Sequence, residues 1–452
     1  MSATRALATG RAALAAAAVA LASPSAAPGG DRPRFPDVLL VTVDTLRADR
    51  LSSAGYARPT SPHLDALLAS GLRFSRALTV EPLTNPALAS LLTSLPPHEH
   101  GATRNGLPAR RGLASLPALL ARRGYRTAAF VGNWTLKPQL SGLAELWQTY
   151  SAVVSRKRWF GFYKDEATAR DLTDEALAWL DRMRRDDPVR PYFLWLHYVE
   201  PHAPYRLHER HAARLGIDPD HASASDRYDT EVAEVDAEVG RLLAELDARP
   251  SARHRLTIFT ADHGEAFGED GELGHGRRLH APTLVVPLVF VAPGRIAPGG
   301  SPAPASLLDV APTVLGLLGL PAHPYFRGHD LAPGQRGEQP IAEDSTCLQA
   351  HRGAVQSVQR AQRARRAGLL EVGLLVDGWL ETLEVASGRH RHLPLGPPGA
   401  VASARPASLG PSPALAACLA EVRAGLAEAD RYVPPELDAE SIEQLRALGY
   451  LD

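Results

Sequence analysis

The chain has 452 residues, 45% of them hydrophobic and 22% charged, with a formal net charge of −1. That length suits one large domain plus a smaller one. The near-neutral balance offers no basic face for nucleic acid and none for an anionic membrane. Arginine supplies nearly all of the positive charge, since Lys137, Lys157 and Lys164 are the only lysines.

The N-terminus reads as an export signal. MSATRALATGR is weakly basic, AALAAAAVALA is a short apolar run, and SPSAAPGG offers small residues for cleavage near Ala26 or Ala27. The run is short for a membrane span, so a cleaved signal is expected, with a non-cleaved anchor as the alternative, and no cysteine lies near it to carry a lipid. The expectation is an exported protein, periplasmic or extracellular, with residues 1–32 as signal and flexible start. Cys347 and Cys418 are the only cysteines. Two cysteines alone make no zinc knuckle, and separation along the chain does not decide whether they pair.

Beyond the signal, Asp37–Val43 (DVLLVTV) is an apolar, β-branched run that predicts a strand buried on both faces. Similar strands are predicted over Tyr125–Val131, Pro191–His197, Arg255–Thr260 and Val286–Ala292. Helical periodicity falls between them, over Pro62–Ser70, Leu113–Arg123, Glu166–Arg185, Tyr228–Ala248 and Leu307–Leu318. Alternating strands and helices predict an α/β fold with a central, mostly parallel sheet flanked by helices.

The stretch EPLTNPALASLLTS, residues 81–94, predicts a helix capped by Asn85 with Pro86 in its first turn. Thr84 then stands one residue before the cap. Free backbone N–H groups there make a seat for phosphate or sulfate.

From about Gly337 the pattern changes. Leu369–Val376 and Trp379–Val385 alternate as antiparallel strands do, His392–Leu415 reads as a loose linker, and Pro434–Asp452 predicts a short terminal helix with Ile442, Leu445 and Leu448 on one face. The expected organisation is a catalytic domain over 33–336 and a smaller C-terminal α+β subdomain over 337–452.

Acidic and imidazole residues follow three predicted strands: Asp44, Glu200 with His202, and Asp262 with His263. In open α/β sheets that edge is where ligands bind. Asp262 and His263 can share one divalent cation if the chain turns at Gly264, with Asp44 as a third ligand and the Thr84 hydroxyl as a fourth group. A cation so held would acidify the hydroxyl into a nucleophile. The donor set suits zinc, manganese or calcium.

Seven stretches in order carry a resemblance to a known family. They are DVLLVTVDTLRAD (37–49), GYARPTSPHLDALLASGLRFSRA (55–77), TNPALASLLTSLPPHEHG (84–101), HYVEPHAPY (197–205), YDTEVAEVDAEVGRLL (228–243), TADHGEAFGEDGELGHG (260–276) and LLDVAPTVLGLLGLP (307–321). Over about Pro36–Leu331 the chain resembles the sulfatases of the alkaline-phosphatase-like superfamily. The resemblance implies a large domain with one active site over its sheet and a smaller C-terminal domain with an antiparallel sheet. It puts Asp44, Asp262 and His263 on metal-ligand positions, Thr84 on the nucleophile, and His202 and His275 on groups that contact the anion or assist the leaving group.

The departures from that family are specific. Sulfatases proper place a cysteine or serine, matured to formylglycine, where this chain has Thr84. The following arginine is Leu88, the second of two paired aspartates is Thr45, and a lysine and histidine around a tryptophan are Asn133 and Thr135. The expected activity is therefore metal-dependent hydrolysis of sulfate or phosphate esters through Thr84. Two other readings stay open: a transferase of the phosphoethanolamine or phosphodiester type with the same threonine–metal site, and a catalytically weak binding protein. The expected partner is an anionic ester on a glycan, lipid or small molecule, with no nucleic acid and no membrane span.

Overall fold

The computed structural model describes residues 35–153, 168–249, 254–332, 346–353, 368–376, 378–395, 410–429 and 439. The export signal lies outside the described residues, as does the terminal helix except for Ala439.

Strands β1 (Asp37–Val43), β2 (Leu72–Leu78), β3 (Arg126–Val131), β4 (Thr149–Ala152), β5 (Tyr192–Tyr198) and β6 (Arg255–Ala261) come first in the chain. A two-residue hairpin, β7 (Ala266–Phe267) with β8 (Leu273–Gly274), follows β6; then come β9 (Val285–Val291) and β10 (Gly299–Ser306). Eight of them form one sheet in the order β10-β2-β9-β6-β1-β5-β3-β4. Every pairing is parallel except those of β9 with β2 and β6. All seven residues of β1 are buried, as its unbroken apolar run requires at the centre of a sheet covered on both faces.

Two long helices show why the sequence folds as it does. Helix Ala169–Asp186 opens with a capping box between Thr168 and Asp171, and helix Ala224–Ala248 with one between Ser223 and Asp226. Each box satisfies two backbone donors at the helix start. The second box starts its helix four residues ahead of the predicted Tyr228.

The chain then builds a second sheet from β11 (Leu348–His351), β12 (Leu369–Val376), β13 (Trp379–Glu384) and β14 (His390–Pro394), antiparallel throughout and paired in that order. Helix Pro413–Ala429 covers one face, with Leu415, Cys418, Val422 and Leu426 packed against Val372, Leu374 and Leu383. The other face packs Leu380 and Ala350 against Leu78, Leu279 and Leu284 of the large sheet's surroundings. Cys347 and Cys418 form a disulfide that ties the start of β11 to this helix. The predicted linker His392–Leu415 is corrected at both ends: His392 belongs to β14, Pro413 starts the helix, and 396–409 lie outside the described residues.

Candidate active site

The register of the sheet assembles the site. Val43 at the end of β1 pairs with Tyr198 of β5 and with Ala261 of β6, so all three strands stop at one level. The next residues, Asp44, Val199 and Asp262, therefore emerge together at the C-terminal edge. Asp44 N–H donates to Tyr198 O at 2.9 Å, which prolongs the ladder by one residue.

Thr84 approaches from the turn after β2. The structure starts its helix at Thr84 itself (Thr84–Thr93), with Leu83 extended before it and no side-chain cap. Asn85 does not cap, contrary to the sequence reading. Its side-chain amide donates to Leu107 O and its N–H to Asn105 Oδ1, which hold the residue inside the first turn, where its Oδ1 accepts no hydrogen bond from the described residues. All ten residues of this helix are buried, and Leu88, where the family has an arginine, lies in the main core.

Four oxygen and nitrogen atoms converge. His263 Nε2 lies 3.4 Å from Asp262 Oδ2, 3.8 Å from Asp44 Oδ1 and 3.5 Å from Thr84 Oγ1. Asp44, Thr84, Asp262 and His263 are all fully buried. Each carboxylate uses one oxygen to hold its position. Asp262 Oδ1 accepts from the N–H groups of Thr45 (3.1 Å) and His263 (2.8 Å), and Asp44 Oδ2 accepts from Asn133 Nδ2. The remaining oxygens, Asp44 Oδ1 and Asp262 Oδ2, accept no hydrogen bond from the described residues. A buried carboxylate oxygen left so is costly. Two such oxygens beside an imidazole make a donor set that fits a divalent cation.

The electrostatics agree with that fit. Burial pushes Asp262 well above the usual carboxylate range, and the charge of Asp44 adds to the effect. Burial also opposes ionisation of Asp44, but His202 and the neighbouring His197 outweigh it and hold its carboxyl well below that range. The two carboxyls are thus pushed in opposite directions, as two close buried acids are. Burial pushes His263 down to about 3, with His275 adding to the effect, so the imidazole is neutral and its lone pair free to bind. His263 Nδ1 lies 2.9 Å from Gly264 O, which fixes Nε2 toward the acids.

Two backbone features shape the turn. Gly264 matters for close approach, not for an unusual dihedral: a Cβ there would lie 2.0 Å from Pro282 O. The left-handed residue is Thr45, at φ 53°, where its N–H turns to Asp262 in place of the expected second acid.

His202 and His275 both reach the site. Their rings lie 5.3 Å apart, and His275 stacks obliquely 4.4 Å from His263. His275 Nδ1 is 3.0 Å from Glu265 Oε1, and Tyr205 donates to Glu265 Oε2 at 2.8 Å. Burial disfavours a charged His275, but the Glu265 carboxylate wins and raises its pKa. His202 Nδ1 contacts Ala203 O, while its buried Nε2 has no hydrogen bond among the described residues. Glu200, grouped with His202 from the sequence, instead accepts from Ala169 N–H at the start of a helix.

Sequence reasoning missed three contributors, His197, Glu265 and Tyr205, and read Asn133 only as a departure from the family. Asn133 orients Asp44, and its Oδ1 accepts from Thr135 N and Oγ1. His197 Nε2 lies 3.5 Å from Asp44 Oδ2, with Nδ1 held 2.8 Å from Thr42 Oγ1. The available signal was a histidine at the end of an otherwise apolar strand. Arg47 carries no free charge to the site: it pairs with Asp49 and Glu269 and donates to Glu265 O.

A family model described as Sulfatase matches residues 36–320. Steryl-sulfatase of Mus musculus is 28% identical over 438 residues, covering 70% of this chain and 68% of that protein. Arylsulfatase A of Homo sapiens is 27% identical over 361 residues, covering 66% of this chain and 68% of that one. Among solved structures, Ps i-CgsB in complex with a k-i-k-neocarrahexaose matches with a TM-score of 0.68 at 19% identity, over 91% of this chain and 97% of that one. The phosphonate monoester hydrolase SpPMH from Silicibacter pomeroyi matches at 0.62 and 20% identity, over 88% and 96%. These two likenesses establish the fold. With well over half of its length matched by the family model, the chain belongs to the sulfatase family.

Proposed function

We propose that this sulfatase-family hydrolase cleaves sulfate or phosphate esters with Thr84 as nucleophile. The observation that carries the reading is the convergence of Thr84 Oγ1, His263 Nε2 and the two unsatisfied carboxylate oxygens of Asp44 and Asp262. Those four residues would hold a divalent zinc, manganese or calcium ion, which would acidify the Thr84 hydroxyl and neutralise the acids.

The chain's own residues supply the rest. Thr84 Oγ1 gives up its proton to solvent water and forms a bond to the sulfur or phosphorus as the ester bond to the departing alcohol breaks. The departing oxygen takes a proton from His275 or His202, whose rings flank the same end of the site. The Glu265 carboxylate beside it raises the basicity of His275, which favours the protonated ring as a donor. Water then cleaves the threonine ester, restoring Oγ1 and releasing sulfate or phosphate. A fixed hydroxyl needs no maturation to formylglycine. The Cys347–Cys418 disulfide suits an oxidising compartment and supports export of the protein.

The test is turnover of an aryl sulfate, an aryl phosphate and a bis-aryl phosphodiester by metal-loaded and chelated protein. Metal-dependent cleavage of at least one ester is expected, abolished in Thr84→Ala. Unchanged turnover in that variant would sink the assignment of the nucleophile.

A further inference from the structure

The small sheet carries a second cluster of metal-ligating side chains, remote in sequence from the site described. Glu381 on β13 is the register partner of His392 on β14, and His390 precedes His392 by two residues. In antiparallel strands such neighbours project from one face with their Cβ atoms about 5 Å apart. Arg391 between them turns to the other face and pairs with Glu371. The ligand atoms of Glu381, His390 and His392 all lie within 4.8 Å of one another.

Three observations separate this cluster from a chance pairing of surface groups. First, Glu381 is buried and its carboxylate is oriented: Ser412, at the start of helix Pro413–Ala429, donates N–H to Oε1 at 2.7 Å and Oγ to Oε2 at 2.6 Å. Outer-shell bonds of this kind are what fix a ligating carboxylate. Second, His390 has a side chain only 8% exposed, and its Nε2 lies 2.7 Å from Glu381 Oε1, with its ring 4.6 Å from that of His392. Third, His392 Nε2 and His390 Nδ1 are buried and have no hydrogen-bond partner among the described residues. An imidazole nitrogen left dry and unpaired is destabilising, and a bound cation would remove that penalty at His392.

We propose that Glu381, His390 and His392 form a second metal site, selective for Zn²⁺ or a similar nitrogen-seeking transition ion. Two imidazoles and one carboxylate leave a fourth position open and match zinc, whereas calcium and magnesium prefer all-oxygen sites. The ligands join the edge strand β14 to β13, and Ser412 joins them to the helix, so an ion there would clamp the sheet to its covering helix. The role is structural or regulatory and independent of the chemistry at Thr84.

The test uses full-length protein carrying Asp262→Asn and His263→Asn, which removes the candidate site beside Thr84, after chelation and dialysis. Titration with Zn²⁺ alone is expected to show one equivalent bound, a rise in Tm, and protection of His390 and His392 from diethyl pyrocarbonate as read by mass spectrometry. Adding His392→Gln is expected to weaken binding by at least about tenfold. Absence of zinc binding and protection in the background protein would overturn the proposal, and so would unchanged affinity in the His392→Gln protein. The protection arm leaves the three residues intact, so it decides the question even if the His392→Gln protein fails to fold.

Discussion

Asn133 donates its side-chain amide to Oδ2 of Asp44, which leaves Oδ1 as the oxygen turned toward His263. The same Asn133 accepts from Thr135 N and Oγ1 through its own oxygen, so its amide cannot flip without losing both bonds. Asn133→Leu keeps the volume and removes the orientation. The expected result is a fall in kcat/KM of about 10- to 100-fold, carried mainly by kcat, with a loss of about 1 kcal/mol of stability from the turn it caps. Steady-state kinetics beside a thermal melt would check the division.

Thr84→Ala should lower turnover by about 10³-fold or more, as loss of an attacking group does elsewhere. Thr84→Ser keeps the hydroxyl and loses only the methyl group, so it should retain measurable activity. Equal inactivity of the two variants in correctly folded protein would argue against attack by this hydroxyl. Rapid-quench mass spectrometry on the serine form would look for the covalent ester.

The Cys347–Cys418 disulfide closes a loop with a sequence separation of 71. By chain-entropy reasoning it contributes about 4 kcal/mol. Cys418→Ala, or reduction of the wild type, should lower Tm and loosen helix Pro413–Ala429 first, because the disulfide is the covalent tie between that helix and the start of β11. Hydrogen exchange along that helix, compared with exchange along β1, would show whether the loss is local.

Asp236 is buried against the start of helix Pro62–Ala69, where Oδ1 accepts from Leu64 N–H at 2.8 Å. Burial pushes its carboxyl up to about 6, and that hydrogen bond only partly offsets it. The folded state therefore holds this proton more tightly than the unfolded one. Its contribution falls as pH rises from about 4 to about 6 and is constant above that. Asp236→Asn keeps an acceptor for Leu64 and removes the buried charge. It should stabilise the protein at pH 7–8 by at most about 3 kcal/mol, with the gain shrinking toward pH 4. Denaturant midpoints at the two pH values provide the comparison.

Much of the large sheet was legible because its central strands are unbroken apolar runs, and β1, β5 and β6 lie within a residue or so of the predicted spans. Three strands were not legible. The outer part of β2 alternates buried and exposed residues within a short segment, β4 is only four half-buried residues, and β10 reads GGSPAPAS. An edge strand can carry glycine and proline that would break a central one, so composition alone marks it as loop. Asp44, Thr84, Asp262, His263, His202 and His275 were legible from their motifs, and the structure gathers all six. Asn133 and His197 act on Asp44 across the sheet from chain positions 89 and 153 residues away, a relation fixed by strand order alone. His390 and His392 went unread for a similar reason. Their meaning comes from the register of β14 on β13 and the cap at Ser412.

Helix Thr84–Thr93 has no residue at the surface. The proposed nucleophile mounted on such a rod has no room to seek its target, so recognition has to come from the parts that face solvent. Those begin nearby: Leu273, 71% exposed on the β7–β8 hairpin, stands two residues before His275, and the segment after His202 is partly exposed. Efforts to redirect the enzyme to other esters should therefore randomise 202–208 and 268–274 and leave 84–93 untouched. Divergence within the family would then be expected to run along the same division, with a fixed post and a variable rim.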